Sequence, residues 1–178
     1  SKEGYAKTQP LDTYQAQNRG GTGKRAASLK DEDFVSKLFV ANTHDTLLCF
    51  SSYGKVYWIK VYRLPRGGRN AKGRPIVNLL PLEKDERIQA VLPVKEFNDD
   101  QFIFMATETG SVKKTKLSAY SRPMKSGIKA IKLRDGDRVV NAEITDGSKE
   151  IMLFSNSGKS IRFKESDARP MGRVSQGV

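Results

Sequence analysis

Short apolar runs alternate with polar, glycine-containing turns along this chain, and the alternation repeats. Leu47–Phe50, Phe102–Ala106 and Ile151–Phe154 are apolar. Each leads into a polar turn: Ser52-Tyr53-Gly54, Glu108-Thr109-Gly110 and Asn156-Ser157-Gly158. A second run then leaves the turn, with β-branched or aromatic residues set among cations: Lys55–Tyr62, Ser111–Leu117 and Lys159–Lys164. Two such runs around a glycine that tolerates the left-handed conformation predict a β-hairpin. The turn phrase occurs a fourth time at Ser1–Lys7, so its glycines stand at 4, 54, 110 and 158, in steps of 50, 56 and 48 residues.

Upstream of the hairpins lie further strand-like pairs. Ile76–Leu82 and Ile88–Val94 flank the acidic turn Glu83-Lys84-Asp85-Glu86; Gly127–Leu133 and Arg138–Ile144 flank Asp135-Gly136-Asp137. Asp-Gly between alternating residues is a strong hairpin signal. Four strands per repeat, a period near 50 residues and no apolar pattern of helical period predict an all-β, propeller-like fold of four-stranded blades. The repeats divide a single 1–178 domain into a first strand plus loop (1–31) and three blades (32–72, 73–122, 123–178). Thr8–Lys30 and Pro65–Pro75 read as exposed loops.

Charge changes the picture. The 178 residues carry a net charge of +12, with a pI near 9.8, which favours an acidic partner. Residues 54–74 hold seven cations and no acid, and residues 111–134 hold eight and no acid. The acids collect in the other turns: Asp31-Glu32-Asp33, Glu83/Asp85/Glu86, Asp99/Asp100, Asp135/Asp137 and Glu143/Asp146/Glu150. The same phase over successive repeats predicts a basic belt on the rim and acids on a face, where an indifferent surface would scatter both. Such a belt holds phosphates rather than reading bases, so duplex DNA is the expected partner.

Other chemistry finds little support. Gly20-Gly21-Thr22-Gly23-Lys24 is not a phosphate loop, because Asn18 stands where the first glycine is needed and Arg25 where a magnesium-binding hydroxyl is needed. His44 and Cys49 are single and make no metal site. His44 reads as a turn residue, Cys49 as a buried inert thiol. Trp58, at mid-strand, reads as a packing residue rather than a base-stacking platform. No catalytic set stands out, no apolar run is long enough to span a membrane, and no signal peptide is visible. A chain that starts inside a repeat without Met reads as a fragment of a longer protein.

At Gln17-Asn18-Arg19-Gly20-Gly21-Thr22-Gly23 the chain resembles a known family, the C-terminal domains of the bacterial DNA gyrase A protein. That family carries a Gln-Arg-Arg-Gly-Gly-Lys-Gly loop, the gyrase box, and five of its seven positions match here. The likeness continues through Val40–Thr46, Gly54–Trp58, Gly73–Leu82, Phe104–Thr107, Val112–Thr115, Ile131–Asp137 and Met152–Ser155. The resemblance implies a β-pinwheel whose blades exchange strands, here an open part-ring of about half the family's six blades. It implies DNA wrapped on the rim in support of ATP-dependent negative supercoiling. The implied DNA contacts are the box (Gln17, Asn18, Arg19, Gly20, Gly21, Thr22, Gly23) and the basic rim: Lys24, Arg25, Lys55, Lys60, Arg63, Arg66, Arg69, Lys72, Arg74, Lys113, Lys114, Lys116, Arg122 and Lys125. Asn18 and Thr22 replace two family cations and weaken the box.

The implied partners are double-stranded DNA, the rest of the gyrase A protein and the gyrase B protein in an A2B2 holoenzyme, in the bacterial cytoplasm on the chromosome, with no membrane. No cofactor is expected in this domain; ATP and magnesium belong to the holoenzyme and bind elsewhere. The family cleaves DNA with a tyrosine that follows an arginine, and none of the six tyrosines here does, so the domain is expected to be non-catalytic. Two other readings remain: the corresponding domain of topoisomerase IV, whose box is degenerate, and a propeller-type protein scaffold.

Overall fold

A computed structural model describes residues 1–13, 17, 19–23, 27–29 and 32–178. Eleven strands follow in chain order among them: β1 (Tyr5–Ala6), β2 (Thr46–Ser51), β3 (Lys55–Lys60), β4 (Arg74–Pro75), β5 (Ile88–Val94), β6 (Phe102–Thr107), β7 (Val112–Lys116), β8 (Ile128–Lys129), β9 (Val139–Thr145), β10 (Glu150–Phe154) and β11 (Ser160–Lys164). Helical structure among the described residues is confined to single 3-10 turns, of which Val61–Arg63, Leu117–Tyr120 and Glu165–Asp167 each follow an outgoing strand.

The three predicted hairpins form. β2 pairs with β3, β6 with β7 and β10 with β11, all antiparallel. Their turn glycines Gly54, Gly110 and Gly158 have φ of 76°, 92° and 78°, the left-handed region a side chain disfavours. Gly4 shares it at 86°.

The upstream pairs do not form hairpins, and this corrects the sequence reading. Ile76–Leu82 is a 3-10 turn (Ile76–Asn78) followed by irregular chain, and of Gly127–Leu133 only Ile128–Lys129 is strand. Asp135-Gly136 is a turn between segments that pair with different partners. β5 pairs back onto β2, β9 pairs back onto β6, and β8 reaches back to β3. The result is a four-stranded sheet of order β5-β2-β3-β8 beside a three-stranded sheet β7-β6-β9. A sheet therefore draws strands from three successive repeats. Of the upstream runs only Ile88–Val94 and Val139–Thr145 are long strands; each joins the hairpin of the preceding repeat, while the short β8 joins the hairpin two repeats back.

Packing explains why. β2 is buried along its whole length, so it needs apolar cover on both faces. Leu48 and Phe50 face Ile103, Met105, Leu117, Tyr120 and Ile131. Leu47 and Cys49 on the other face meet Tyr57, Ile59, Val61 and Leu80. The Phe50 and Tyr120 rings meet edge to face at 5.6 Å. Removing Phe50, 1% exposed, is expected to cost about 3–5 kcal/mol. Trp58 packs against this core and donates its indole N–H to the Tyr120 carbonyl at 2.8 Å, the packing role expected of it. The third hairpin buries Ile151, Leu153 and Phe163 against Phe104 and Val112, whereas Met152 and Phe154 on its other face are 50% and 76% exposed.

Candidate nucleic-acid interface

Each outgoing strand ends in a 3-10 turn, and a proline then opens a loop that returns the chain to the sheet: Pro65–Gly73, Pro123–Gly127 and Pro170–Gly177. Proline cannot continue a hydrogen-bonded ladder, so the chain leaves the sheet there. These return loops and their flanks carry most of the predicted cations. Lys60, Arg63, Arg66, Lys72 and Arg74 are exposed, Lys55 and Arg69 half-buried; Lys116, Arg122 and Lys125 are exposed in the next repeat. Lys55 lies 5.5 Å from the Tyr57 ring centroid.

Glycine closes each return loop because the backbone approaches a neighbour too closely for a side chain. A Cβ on Gly127 (φ 71°) would stand 2.6 Å from the Tyr57 ring, and one on Gly177 (φ 88°) 2.5 Å from the Val112 carbonyl oxygen. Gly73 (φ 83°) meets the Ala6 carbonyl in the same way.

Lys113 and Lys114 are the correction. They were expected to reach DNA, but they are 1% and 5% exposed. The Lys113 ammonium donates to the carbonyl oxygens of Ala130 (2.5 Å), Gly172 (3.1 Å), Arg173 and Ser175 (3.4 Å). Burial, then the nearby Arg173 charge, lowers its pKa to about 7. Lys114 donates to the Glu165 carbonyl at 3.1 Å, with the fully buried Glu165 carboxylate 4.0 Å away. A Val-Lys-Lys-Thr strand is charged in composition, yet it lies inside because backbone carbonyls and one carboxylate satisfy both ammonium groups.

The acids also do something the sequence reading missed. Asp137 accepts from the Thr109 N–H (3.1 Å), the Thr109 hydroxyl (2.7 Å) and the Arg138 N–H (2.8 Å). Asp33 likewise accepts from the N–H groups of Glu3 (3.1 Å) and Phe34 (2.8 Å). Glu86 takes the Tyr57 hydroxyl at 2.9 and 3.0 Å. Asp33 and Asp137 clamp the hairpin turn of another repeat, and the buried Glu86 ties down an outgoing strand, instead of forming an exposed acidic face. The signal was present: each stands directly before a strand-like run, one repeat downstream of the hairpin it holds.

This phase also places the box. In sequence, Gly23 stands ten residues before Asp33, as Gly127 stands ten before Asp137, which gives the box the phase of a return loop. Gln17, Arg19, Gly20, Gly21, Thr22 and Gly23 are exposed, and a Cβ on Gly20 would meet nothing within 4 Å. Asn18, Lys24 and Arg25 lie outside the described residues. The structure adds Lys129, exposed at the strand after a return loop and directly opposite Lys55. The Arg173 guanidinium donates to its carbonyl at 2.6 Å.

Set against known proteins, a family model described as DNA gyrase C-terminal domain, beta-propeller, matches residues 1–42, 45–95, 101–146 and 149–178. The DNA gyrase A protein of Aeromonas salmonicida is 61% identical over 171 residues, covering 96% of this chain and 18% of that protein. The DNA gyrase A protein of Salmonella typhimurium is 58% identical over 178 residues, covering 100% of this chain and 20% of that protein. The chain thus spans about a fifth of the length of these relatives. Among solved structures, the C-terminal domain of DNA topoisomerase IV superposes with a TM-score of 0.83 at 32% identity, covering 99% of this chain and 53% of that one. A DNA gyrase A C-terminal domain superposes with a TM-score of 0.69 at 28% identity, covering 99% and 57%.

Proposed function

Because the chain belongs to the DNA gyrase C-terminal domain family, we propose that its return loops hold duplex DNA by the phosphates and bend it along successive repeats. One observation carries this reading: the same structural position in successive repeats supplies an exposed, cation-bearing loop. The described residues offer no recognition α-helix, so binding is largely independent of sequence. Smooth bending of 20–30 bp by 40–90° costs on the order of 1–6 kcal/mol, which several phosphate contacts offset.

In the longer protein, this domain wraps DNA for a type II topoisomerase, gyrase, that introduces negative supercoils. Its partners there are the rest of the gyrase A protein and the gyrase B protein in an A2B2 assembly, on the bacterial chromosome in the cytoplasm. Cleavage, ATP and magnesium belong to parts of the assembly outside this chain, and the domain is non-catalytic. The higher TM-score with topoisomerase IV favours a second reading, that of the decatenating enzyme. Identity near 60% over essentially the whole chain to gyrase A proteins weighs more, because backbone shape is common to both.

The test has two parts. A salt titration of duplex binding should give a log–log slope of about −0.9 per neutralised phosphate. Relaxed circular DNA ligated in the presence of the protein should show a shifted linking number. Weak binding without a linking-number shift would favour the protein-scaffold reading.

A further inference from the structure

Lys7 and Lys113 occupy one position in two repeats, three residues after the turn glycines Gly4 and Gly110. Both ammonium groups turn onto the main chain of a return loop, and onto the same dipeptide of it. The Lys7 Nζ donates to the carbonyl oxygens of Gly68 (2.8 Å) and Arg69 (3.1 Å). The Lys113 Nζ donates to those of Gly172 (3.1 Å) and Arg173. Beside each, the loop is drawn along the outgoing strand by a parallel bridge, Thr8 with Arg66 and Lys114 with Pro170. Among the described residues, neither ammonium has a carboxylate within ion-pairing distance.

The intervening repeat is an internal control. Three residues after Gly54 stands Tyr57, and the loop there shortens to Pro123-Met124-Lys125-Ser126-Gly127, with no Gly-Arg pair. Tyr57 bonds Glu86 instead, and its ring fills the space beside Gly127. The lysine occurs where the long loop occurs. A lysine head group on a flexible stem costs entropy to hold and free energy to desolvate. Folding alone is served by tyrosine in the short-loop repeat. What the lysine adds is control of loop shape. An ammonium that gathers two carbonyl oxygens turns inward the peptide atoms that repel phosphate, and it holds the loop's cations in one arrangement.

We propose that Lys7 and Lys113 are positioning residues for DNA: each fixes the shape of a long return loop so that the cations on the loop and its flanks (Arg66, Lys72 and Arg74 for Lys7, Arg169 and Arg173 for Lys113) meet phosphates together, without touching DNA itself. The proposal rests on the reading that the return loops bind duplex DNA.

The test compares salt slopes for a linear duplex bound by the full chain, its Lys7→Met variant, an Arg66→Ala/Lys72→Ala/Arg74→Ala variant, and the combination. If Lys7 positions the loop, Lys7→Met should flatten the slope by about two units or more, since each lost contact is worth about 0.9. The combination should then match the triple variant, and Lys7→Arg should recover most of the slope. A change of about 0.9 or less, for the one charge removed, overturns the proposal, as does an unchanged slope with a lowered melting temperature. Lys7→Leu, which likewise has no donor, is run in parallel and judged by the same criteria should the methionine variant not fold. Failure of the parent chain to bind DNA in a salt-dependent way sinks the DNA reading itself, and is seen before any variant is compared.

Discussion

Lys55 and Lys129 stand directly opposite one another across β3 and β8. Opposed residues of an antiparallel pair project from the same face, and like charges so placed destabilise a sheet. Arg173 adds a third cation through the Lys129 carbonyl. Such a grouping suits an anion laid across the strands. Lys129→Gln should therefore move two measurements in opposite directions. Stability should rise by on the order of 0.2–1 kcal/mol, read as a higher denaturant midpoint, while duplex affinity falls and its salt slope flattens by about 0.9. Affinity that rises along with stability would remove this pair from the interface.

The box should gain from charge. Thr22 is exposed and Asn18 stands beside Arg19 in the sequence. Asn18→Arg with Thr22→Lys should steepen the salt slope by up to about two units and enlarge the linking-number shift. An unchanged slope would make Gln17–Gly23 a connector that never reaches DNA.

Lys114 should behave as a core residue. Lys114→Met leaves Glu165, 0% exposed, without its cation. Breaking a buried pair costs about 3–5 kcal/mol, read as a lower urea midpoint. Because the side chain does not face solvent, the folded fraction should keep its salt slope. A flattened slope in fully folded protein would restore Lys114 to the DNA surface.

Asp137 gives the fold an acid-sensitive turn. Burial acts to raise its pKa, but hydrogen bonds from Thr109, Thr107 and Arg138 outweigh it and hold the carboxyl below its ordinary value. A depressed carboxylate contributes stability above its unfolded pKa, near 3.9, and loses it as pH falls through the folded value. Stability should thus decline below about pH 4, and Asp137→Asn should flatten that part of the profile while lowering stability at neutral pH. An unaltered acid limb in the variant would assign the sensitivity to other groups.

Cys49 is fully buried, and burial pushes its thiol up to about 12. A thiol-specific reagent at pH 8 should label the protein only as fast as it unfolds, and at once in urea. Rapid labelling of the folded protein would contradict the packing described for β2.

The three hairpins, the absence of long helices among the described residues and the phase of the return-loop cations were legible in the sequence, because each depends on residues close together in the chain. Glycine at 54, 110 and 158 with flanking apolar runs specifies a hairpin locally. The partners of Ile88–Val94 and Val139–Thr145 were not legible, since an alternating run states which face is buried but not which strand it joins. The burial of Lys113 and Lys114 was hidden for a related reason. Their carbonyl and carboxylate partners lie at Ala130, Glu165 and Gly172–Ser175, and a lysine count treats every ammonium as solvated. The structural role of Asp33, Glu86 and Asp137 could have been inferred from their recurrence just before a strand, which outlasts the variation between Asp and Glu.

Strand exchange between repeats sets an order of events on the ribosome. The β2–β3 hairpin is complete once Lys60 emerges, but Val56 pairs with Ile128, which appears only after the entire second hairpin has been made. At about 5–20 residues per second, the first sheet spends several seconds with β3 unpaired on its outer side. Pairing over so long a stretch of chain also slows folding. Lys55 and Lys60, at the two ends of β3, discourage edge-to-edge association during that interval, as edge lysines do elsewhere. The charges proposed to hold a nucleic acid in the folded domain are thus also suited to keep the nascent one from its own copies.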